Sequence, residues 1–303
     1  MTRKVIVTIA PTGGMAGKDV SPHLPTQPEE IAEVVAECCS LGASIAALHA
    51  RRPDDQATCD PLIYRRINDL VRERCDIVIN NSTGGGMNGD MVGPAVDGRR
   101  EVLFEKRLQG TMADAETCTL DPQTMVVDVG QGEILIETGP ARMRLLAGAM
   151  KQRGIKPEWE VMSHGDLLAV RQLIGEGYDT GPHWVNIVLG TDRYLTGTLP
   201  YTPAILQAMV DGLPEDALFC VSAVGSAQLP ATTHALLLGG HLRVGLEDNI
   251  HYSRGRLATN PELVARAVRI IEELGLEVAT PEETRQMLGL PTRRREATMA
   301  GTS

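Results

Sequence analysis

The 303-residue chain sets 29 Lys and Arg against 39 Asp and Glu, a net charge of −10, and has only two Trp, five Tyr and two Phe. It therefore lacks both the basic surface that neutralises phosphates and the rings on which bases stack, which excludes a nucleic-acid partner. Hydrophobic residues make up 43%, enough for a substantial core, and no apolar run approaches the roughly 20 residues that cross a bilayer, so a soluble globular protein is expected.

Short β-branched runs alternate with longer amphipathic stretches along the chain, the signature of strand-helix units around a parallel sheet. The first run, 5–10, follows a basic start, but it is shorter than the roughly 7 apolar residues of a minimal signal-peptide core and reads as a strand. Seven further strands are predicted at 44–49, 76–81, 117–121, 158–162, 184–189, 218–223 and 242–246, with 125–129 an equally good strand that would pair with the fourth or form a bent extension of it. Helical patterns fall at 28–41, 62–72, 141–152, 167–175, 202–210, 227–238 and 261–274. The last of these starts with Asn260 placed to cap and Pro261 in the first turn. A capping box, Thr280-Pro281-Glu282-Glu283, opens a short extra helix.

Eight such units predict a closed (β/α)8 TIM barrel over 1–291 as one domain, followed by a polar tail at 292–303 with an Arg293-Arg294-Arg295 run. An open doubly wound sheet is the rival, but no G-x-G-x-x-G follows the first strand. The Gly-rich, charged insertion 84–115 is expected to be a loop or a subunit contact. The six cysteines form no C-x-x-C pair and lie mostly in apolar segments, pointing to a cytoplasmic, disulfide-free protein.

A barrel builds its active site at the C-terminal ends of its strands. Polar residues predicted there are Thr12, His49, Ser82, Thr83, Thr119, Glu160, Ser222, Arg243, Glu247 and Asp248. The sharpest cluster is H-L-R-V-G-L-E-D-N at 241–249. Alternation along a strand puts Arg243, Gly245 and Glu247 on one face, with Asp248 following at the turn. An arginine facing a barrel interior is costly unless paired, and these carboxylates are its natural partners. The loop S-T-G-G-G at 82–86, including Gly84, offers hydroxyls and backbone N–H groups to a carboxylate or phosphate.

Taken together, I-A-P-T-G-G (9–14), L-P-T-Q-P-E-E-I-A (24–32), G-A-S-I-A-A-L-H-A-R (42–51), N-S-T-G-G-G (81–86), P-E-W-E-V (157–161) and G-G-H-L-R-V-G-L-E-D-N (239–249) resemble the β-keto acid cleavage enzymes, the family of 3-keto-5-aminohexanoate cleavage enzyme. The resemblance runs in order over nearly the whole chain. It implies a zinc-dependent barrel, forming a homo-oligomer, that condenses a β-keto acid with acetyl-CoA and cleaves the product to acetoacetate and a new acyl-CoA. It further implies His49 and Glu247 as metal ligands, Asp248 as the proton-handling carboxylate oriented by Arg243, and Thr12, Ser82, Thr83, Gly84, Thr119 and Glu160 as substrate-binding positions.

The chain departs from the family pattern at three places. Ala47 stands where the first histidine of an H-x-H ligand pair is usual, Arg52 where an Asp is usual, and Met15 where some members have Glu. Because a catalytic zinc normally takes three protein ligands, a weakened or remodelled Zn2+ site is expected. Two other readings compete. One is a non-catalytic ligand-binding barrel that has lost its metal site; the other is a Schiff-base aldolase, which needs a lysine at a strand end where none of the five lysines is predicted.

Overall fold

The computed structural model describes residues 2–128 and 132–292. Eight parallel strands close on themselves: β1 (Val7–Ile9), β2 (Ile45–Leu48), β3 (Val78–Asn81), β4 (Thr117–Leu120), β5 (Lys156–Val161), β6 (His183–Leu189), β7 (Ala217–Ala223) and β8 (His241–Val244). Closure is direct. Arg243 of β8 pairs with Thr8 of β1, and Glu158 of β5 with Thr119 of β4. The expected barrel is present, each strand overlapping its predicted place, although β8 ends at Val244, before the predicted end at 246.

Helices α1 (Pro28–Ser40), α2 (Pro61–Arg74), α3 (Phe104–Gln109), α4 (Pro140–Gln152), α5 (His164–Gly175), α6 (Pro203–Asp211), α7 (Gln228–Leu237) and α8 (Asn260–Glu273) follow the strands in turn. The buried faces of these helices and the outward side chains of the strands form one large core around the barrel. At the base, Ile6, Ile45, Val78, Trp184 and Cys220 meet Leu288 of α9 (Pro281–Leu288) and Leu290, so the extra helix seals the barrel's lower end.

Three expectations need correction. The insertion 84–115 is not only a loop: it contains α3, which turns Phe104 and Arg107 inward and holds Lys106 against Asp90 at 2.8 Å. Met125–Asp128 neither pairs with the fourth barrel strand nor extends it, since it pairs antiparallel with Glu133–Ile136 in a separate sheet beside the mouth. Finally, α8 is capped by Thr259 in a box with Glu262, not by Asn260. The Asn260 side chain is drawn away by two distant backbone groups: Oδ1 accepts from Leu246 N at 2.9 Å and Nδ2 donates to Pro11 O at 2.9 Å. It thereby ties the loop after β8 to the loop after β1. The predicted tail from 293 onward lies outside the described residues.

Candidate active site

Strand β8 stops at Val244 because Gly245 turns the chain at φ +149°, so close to Ala10 that a Cβ there would sit 2.0 Å from its carbonyl oxygen. The following turn is anchored on three sides. Glu247 N donates to Ala10 O, Asn249 N to Gly245 O, and Gly225 N to Asp248 O. That turn returns two carboxylates over the guanidinium of Arg243, which is 5% exposed. Arg243 Nη2 donates to Glu247 Oε1 at 2.7 Å and to Asp248 Oδ1 at 2.9 Å, Nε donates to Asp248 Oδ2 at 3.0 Å, and Nη1 reaches across the barrel to Glu160 Oε1 at 2.9 Å.

The imidazole leaving β2 joins this group. His49 Nε2 lies 3.3 Å from Glu247 Oε1, and Nδ1 lies 2.8 Å from Gly85 O. A carbonyl only accepts, so Nδ1 carries the proton that it donates to Gly85. Room for the Glu247 side chain comes from Gly13 (φ +64°), where a Cβ would approach Glu247 Cγ to 2.6 Å. The Gly13 loop is held in place by the buried Arg51, whose guanidinium donates to Gly13 O at 2.6 Å and to Ala16 O at 2.6 Å.

Three carboxylates around one guanidinium cannot be equivalent. Burial works against ionisation of Glu247, but Arg243 and then His49 outweigh it and hold its carboxyl below the ordinary range. Burial prevails at Asp248 and more strongly at Glu160, raising both despite the attraction of Arg243. Burial also disfavours the Arg243 cation, and Asp248, Glu247 and Glu160 more than restore it. Burial thus favours the neutral form at Glu160, whereas Arg243 and His49 favour the charged form at Glu247. Asn186, in the interior of β6, supports Glu160 by donating to Oε1 at 3.0 Å, and itself accepts from Ser222 Oγ at 3.1 Å.

These groups open onto a cavity of about 250 Å³, lined also by Thr12, Ser82, Gly84, Asp121 and Thr191. Its far wall is apolar, built from Met125, Ile136, Met162, Val188 and Leu195. Three buried polar atoms here have no partner among the described residues: Thr12 Oγ1, Thr191 Oγ1 and Glu247 Oε2. Orphaned polar atoms around a cavity are what a polar ligand would satisfy.

The cavity gathers the predicted Thr12, His49, Ser82, Gly84, Glu160, Arg243, Glu247 and Asp248. Thr83 and Thr119 are absent from its walls and pin the loop to β4: Thr83 N donates to Thr119 Oγ1 at 3.0 Å and Thr83 Oγ1 to Thr119 O at 2.6 Å. The S-T-G-G-G amides are also not open donors. Ser82 Oγ accepts from Gly84 N and Gly85 N, and Gly84 O accepts from Gly86 N. What the loop presents to the cavity beside its glycines is the Ser82 hydroxyl, which donates to no partner among the described residues. Sequence reasoning missed Asp121, held at 3.4 Å by the buried Arg107, and Asn186; a lone polar residue inside W-V-N-I-V-L was the available signal.

The donor set does not fit the three-ligand zinc centre of the family pattern. Ala47 occupies the place of the first histidine. Glu247 Oε1 is already engaged by Arg243. No three His, Cys, Asp or Glu side chains among the described residues come together to hold a metal. None of the five lysines stands at the C-terminal end of a barrel strand: Lys156 opens β5 at the opposite end, and Lys4 precedes β1.

The profile of the beta-keto acid cleavage enzymes matches residues 4–290. The chain belongs to this family. It is 33% identical over 308 residues, covering 97% of this chain and 99% of the relative, to the 3-dehydrocarnitine:acetyl-CoA trimethylamine transferase of Rhizobium meliloti (strain 1021). It is 34% identical over 292 residues, 96% and 99% of the two chains, to the 3-keto-5-aminohexanoate cleavage enzyme of Fusobacterium nucleatum subsp. nucleatum. Among solved structures, apo ObcA superposes with a TM-score of 0.71 at 19% identity over 90% of this chain. This chain covers 66% of the length of ObcA, and the likeness is one of fold.

Proposed function

We propose that this family member condenses a β-keto acid with acetyl-CoA and cleaves the product to acetoacetate and a new acyl-CoA. The observation that carries the reading is Arg243 holding Glu160, Glu247 and Asp248 within 3.0 Å at the mouth, beside His49 and an accessible cavity. A barrel that had become a passive binder would have no use for so expensive a buried cluster. Membership of a family whose relatives are named as acetyl-CoA transferases and cleavage enzymes supports the same reading.

The products dictate the bond changes. A base removes a proton from C2 of the keto acid, and C2 attacks the acetyl carbonyl, forming a C–C bond and expelling CoA thiolate. The thiolate then adds to the original keto carbon. The bond from that carbon to C2 breaks, leaving R–CO–SCoA, and C2 regains a proton as acetoacetate. Asp248 is the base in this scheme: burial raises its proton affinity, which suits a group that must both take and return a proton. Arg243 fixes both of its oxygens, commits four of its five N–H donors to carboxylates, and keeps one on Nη1 for a developing oxyanion.

Ser82 offers its hydroxyl proton to the substrate carboxylate, and Glu160, whose neutral form burial favours, is the second polar group facing it. The substituent R lies against Met125, Ile136, Met162 and Leu195. Zinc is left out of the scheme, because His49 and Glu247 supply two donors where a catalytic zinc takes three.

The test is acetoacetate release from acetyl-CoA and a panel of β-keto acids. Turnover that survives exhaustive chelation is expected. No acetoacetate from any member of the panel would overturn the function, and activity lost to chelator and restored by zinc would overturn the metal-free scheme.

A further inference from the structure

Between Asp248 and Glu262 the chain has no acidic residue. It forms a hairpin there, His251–Ser253 against Arg256–Leu257, that projects from the loop after β8. Tyr252 is its centre. The guanidiniums of Arg256 and Arg266 lie over the ring at 4.4 and 4.5 Å, Arg266 Nη1 donates to the Tyr252 carbonyl at 2.7 Å, and Arg269 Nη2 donates to the phenol oxygen at 3.3 Å. Arg256 is answered by Glu262. Arg254, exposed at the tip beside Gly255, has no partner among the described residues.

Four arginines at one corner of a chain of net charge −10 make a local positive field, in which Glu262 pairs with Arg256 and Arg254 is left to meet an incoming anion. A cavity of about 620 Å³ opens at this corner, walled by Arg254, Arg266, His251, Ser226, Leu229 and Pro230 among others, and by no Asp or Glu. It shares Gly225, Asn249 and His251 with a neighbouring cavity of about 630 Å³, whose walls include Met15, Met87, Leu195 and Ile250. That second cavity in turn shares Glu247 and Asp248 with the site of the proposed chemistry. The order along this path is carboxylates and guanidinium, then an apolar passage, then a basic basin with an apolar wall. An acyl-CoA has the matching order: thioester, uncharged pantetheine arm, phosphorylated adenosine.

We propose that the basic hairpin docks the 3′,5′-ADP end of CoA, with Arg254 as its free phosphate ligand and the pantetheine arm lying in the apolar passage. The proposal rests on the acetyl-CoA reading above and adds where the co-substrate is gripped. Arg256 and Arg266, stiffened by Tyr252, set the field, and Leu229 with Pro230 offers the adenine an apolar face.

Calorimetric titration with 3′,5′-ADP, which needs no turnover, tests the site on the full chain. Wild type should bind, Arg254→Glu should bind on the order of tenfold more weakly, and Arg254→Lys should recover most of the affinity. In kinetics, Arg254→Glu should raise KM for acetyl-CoA by a similar factor with kcat within about twofold, and leave KM for acetyl-N-acetylcysteamine, a thioester without phosphates, unchanged. No binding of 3′,5′-ADP to wild type, an unaltered affinity in Arg254→Glu, or equal effects on both thioesters would overturn the proposal. The two ideas fail separately: 3′,5′-ADP binding without any β-keto acid turnover sinks the function and leaves the docking site, whereas turnover indifferent to Arg254 sinks the docking site alone.

Discussion

The base and the mouth of this barrel bury the same kinds of residue to different ends. At the base, Asp179 accepts from Trp159 Nε1 at 3.0 Å, His183 Nδ1 at 2.7 Å and Lys156 Nζ at 3.3 Å. Nearby, Arg285 is answered by Glu116 at 2.6 Å, Asp76 at 3.0 Å and the carbonyl of Ile77. Each charge there has its complement. At the mouth three carboxylates share one guanidinium, Glu247 Oε2 has no partner among the described residues, and the group borders a cavity. A charge cluster that is internally complete holds a fold together, whereas one left with surplus acceptors is prepared for something that arrives later.

The largest break in that contrast should come from Arg243→Met. It strands Glu160, Glu247 and Asp248 together in a buried site, and removing one side of such a network costs about 3–5 kcal/mol. Urea unfolding should register that loss, and acetoacetate formation should fall to background. Next comes Asp248→Asn, which keeps the shape and removes the base. A fall of roughly 10³-fold in kcat is expected, with the circular dichroism spectrum and urea midpoint near wild type; a variant retaining more than a tenth of wild-type kcat would remove Asp248 from its role.

A pH profile sharpens the same comparison without mutation. Asp248 must be ionised to take the C2 proton, and its carboxyl is raised by burial, with Arg243 opposing. The rate should therefore rise with pH, on a limb lying above the ordinary aspartate value of about 3.9 and steepening toward tenfold per unit below its midpoint. Glu247 runs the other way. Its folded carboxyl is held down to about 2, so the stability it contributes is present above the ordinary glutamate range and lost only as pH falls toward that value. Activity should thus disappear on acidification well before the Glu247 contribution to folding does, and coincident loss of both would contradict the division of labour.

How much of this was readable in the sequence follows from how far apart the partners lie. Arg243, Glu247 and Asp248 are four and five residues apart, so their encounter could be expected from proximity in sequence, although the turn at Gly245 after a strand ending at Val244, and not the expected strand alternation, brings the carboxylates back. The barrel was legible because eight apolar runs recur with helical patterns between them. Helix α3 was hidden because its six residues, Phe104–Gln109, are too short to show a period inside a Gly-rich stretch. Asn260 looked like a cap because its neighbours suit one, yet the groups that claim its side chain, Leu246 N and Pro11 O, lie 14 and 249 residues away. The Gly-rich loop at 82–86 looked open for the same reason in reverse, since nothing local announces that Ser82 Oγ will fold back onto its own amides.

The smallest expected effect on activity belongs to the base, and it closes the comparison from the other side. Asp179→Asn retains the size of the side chain and its bond from Trp159, but removes the charge that answers Lys156 and accepts the hydrogen bond of His183. Hydrogen bonds to a charged group contribute roughly 1.5–3 kcal/mol each, and the amide keeps part of that, so a loss of about 1–2 kcal/mol in urea unfolding is expected. Because the cluster sits at the ends of β5 and β6 away from the cavity, kcat/KM should stay within about twofold of wild type. A large fall in activity with stability unchanged would mean that the base is not merely structural. In that case the argument from complete and incomplete charge clusters, on which the placement of the active site depends, would fail.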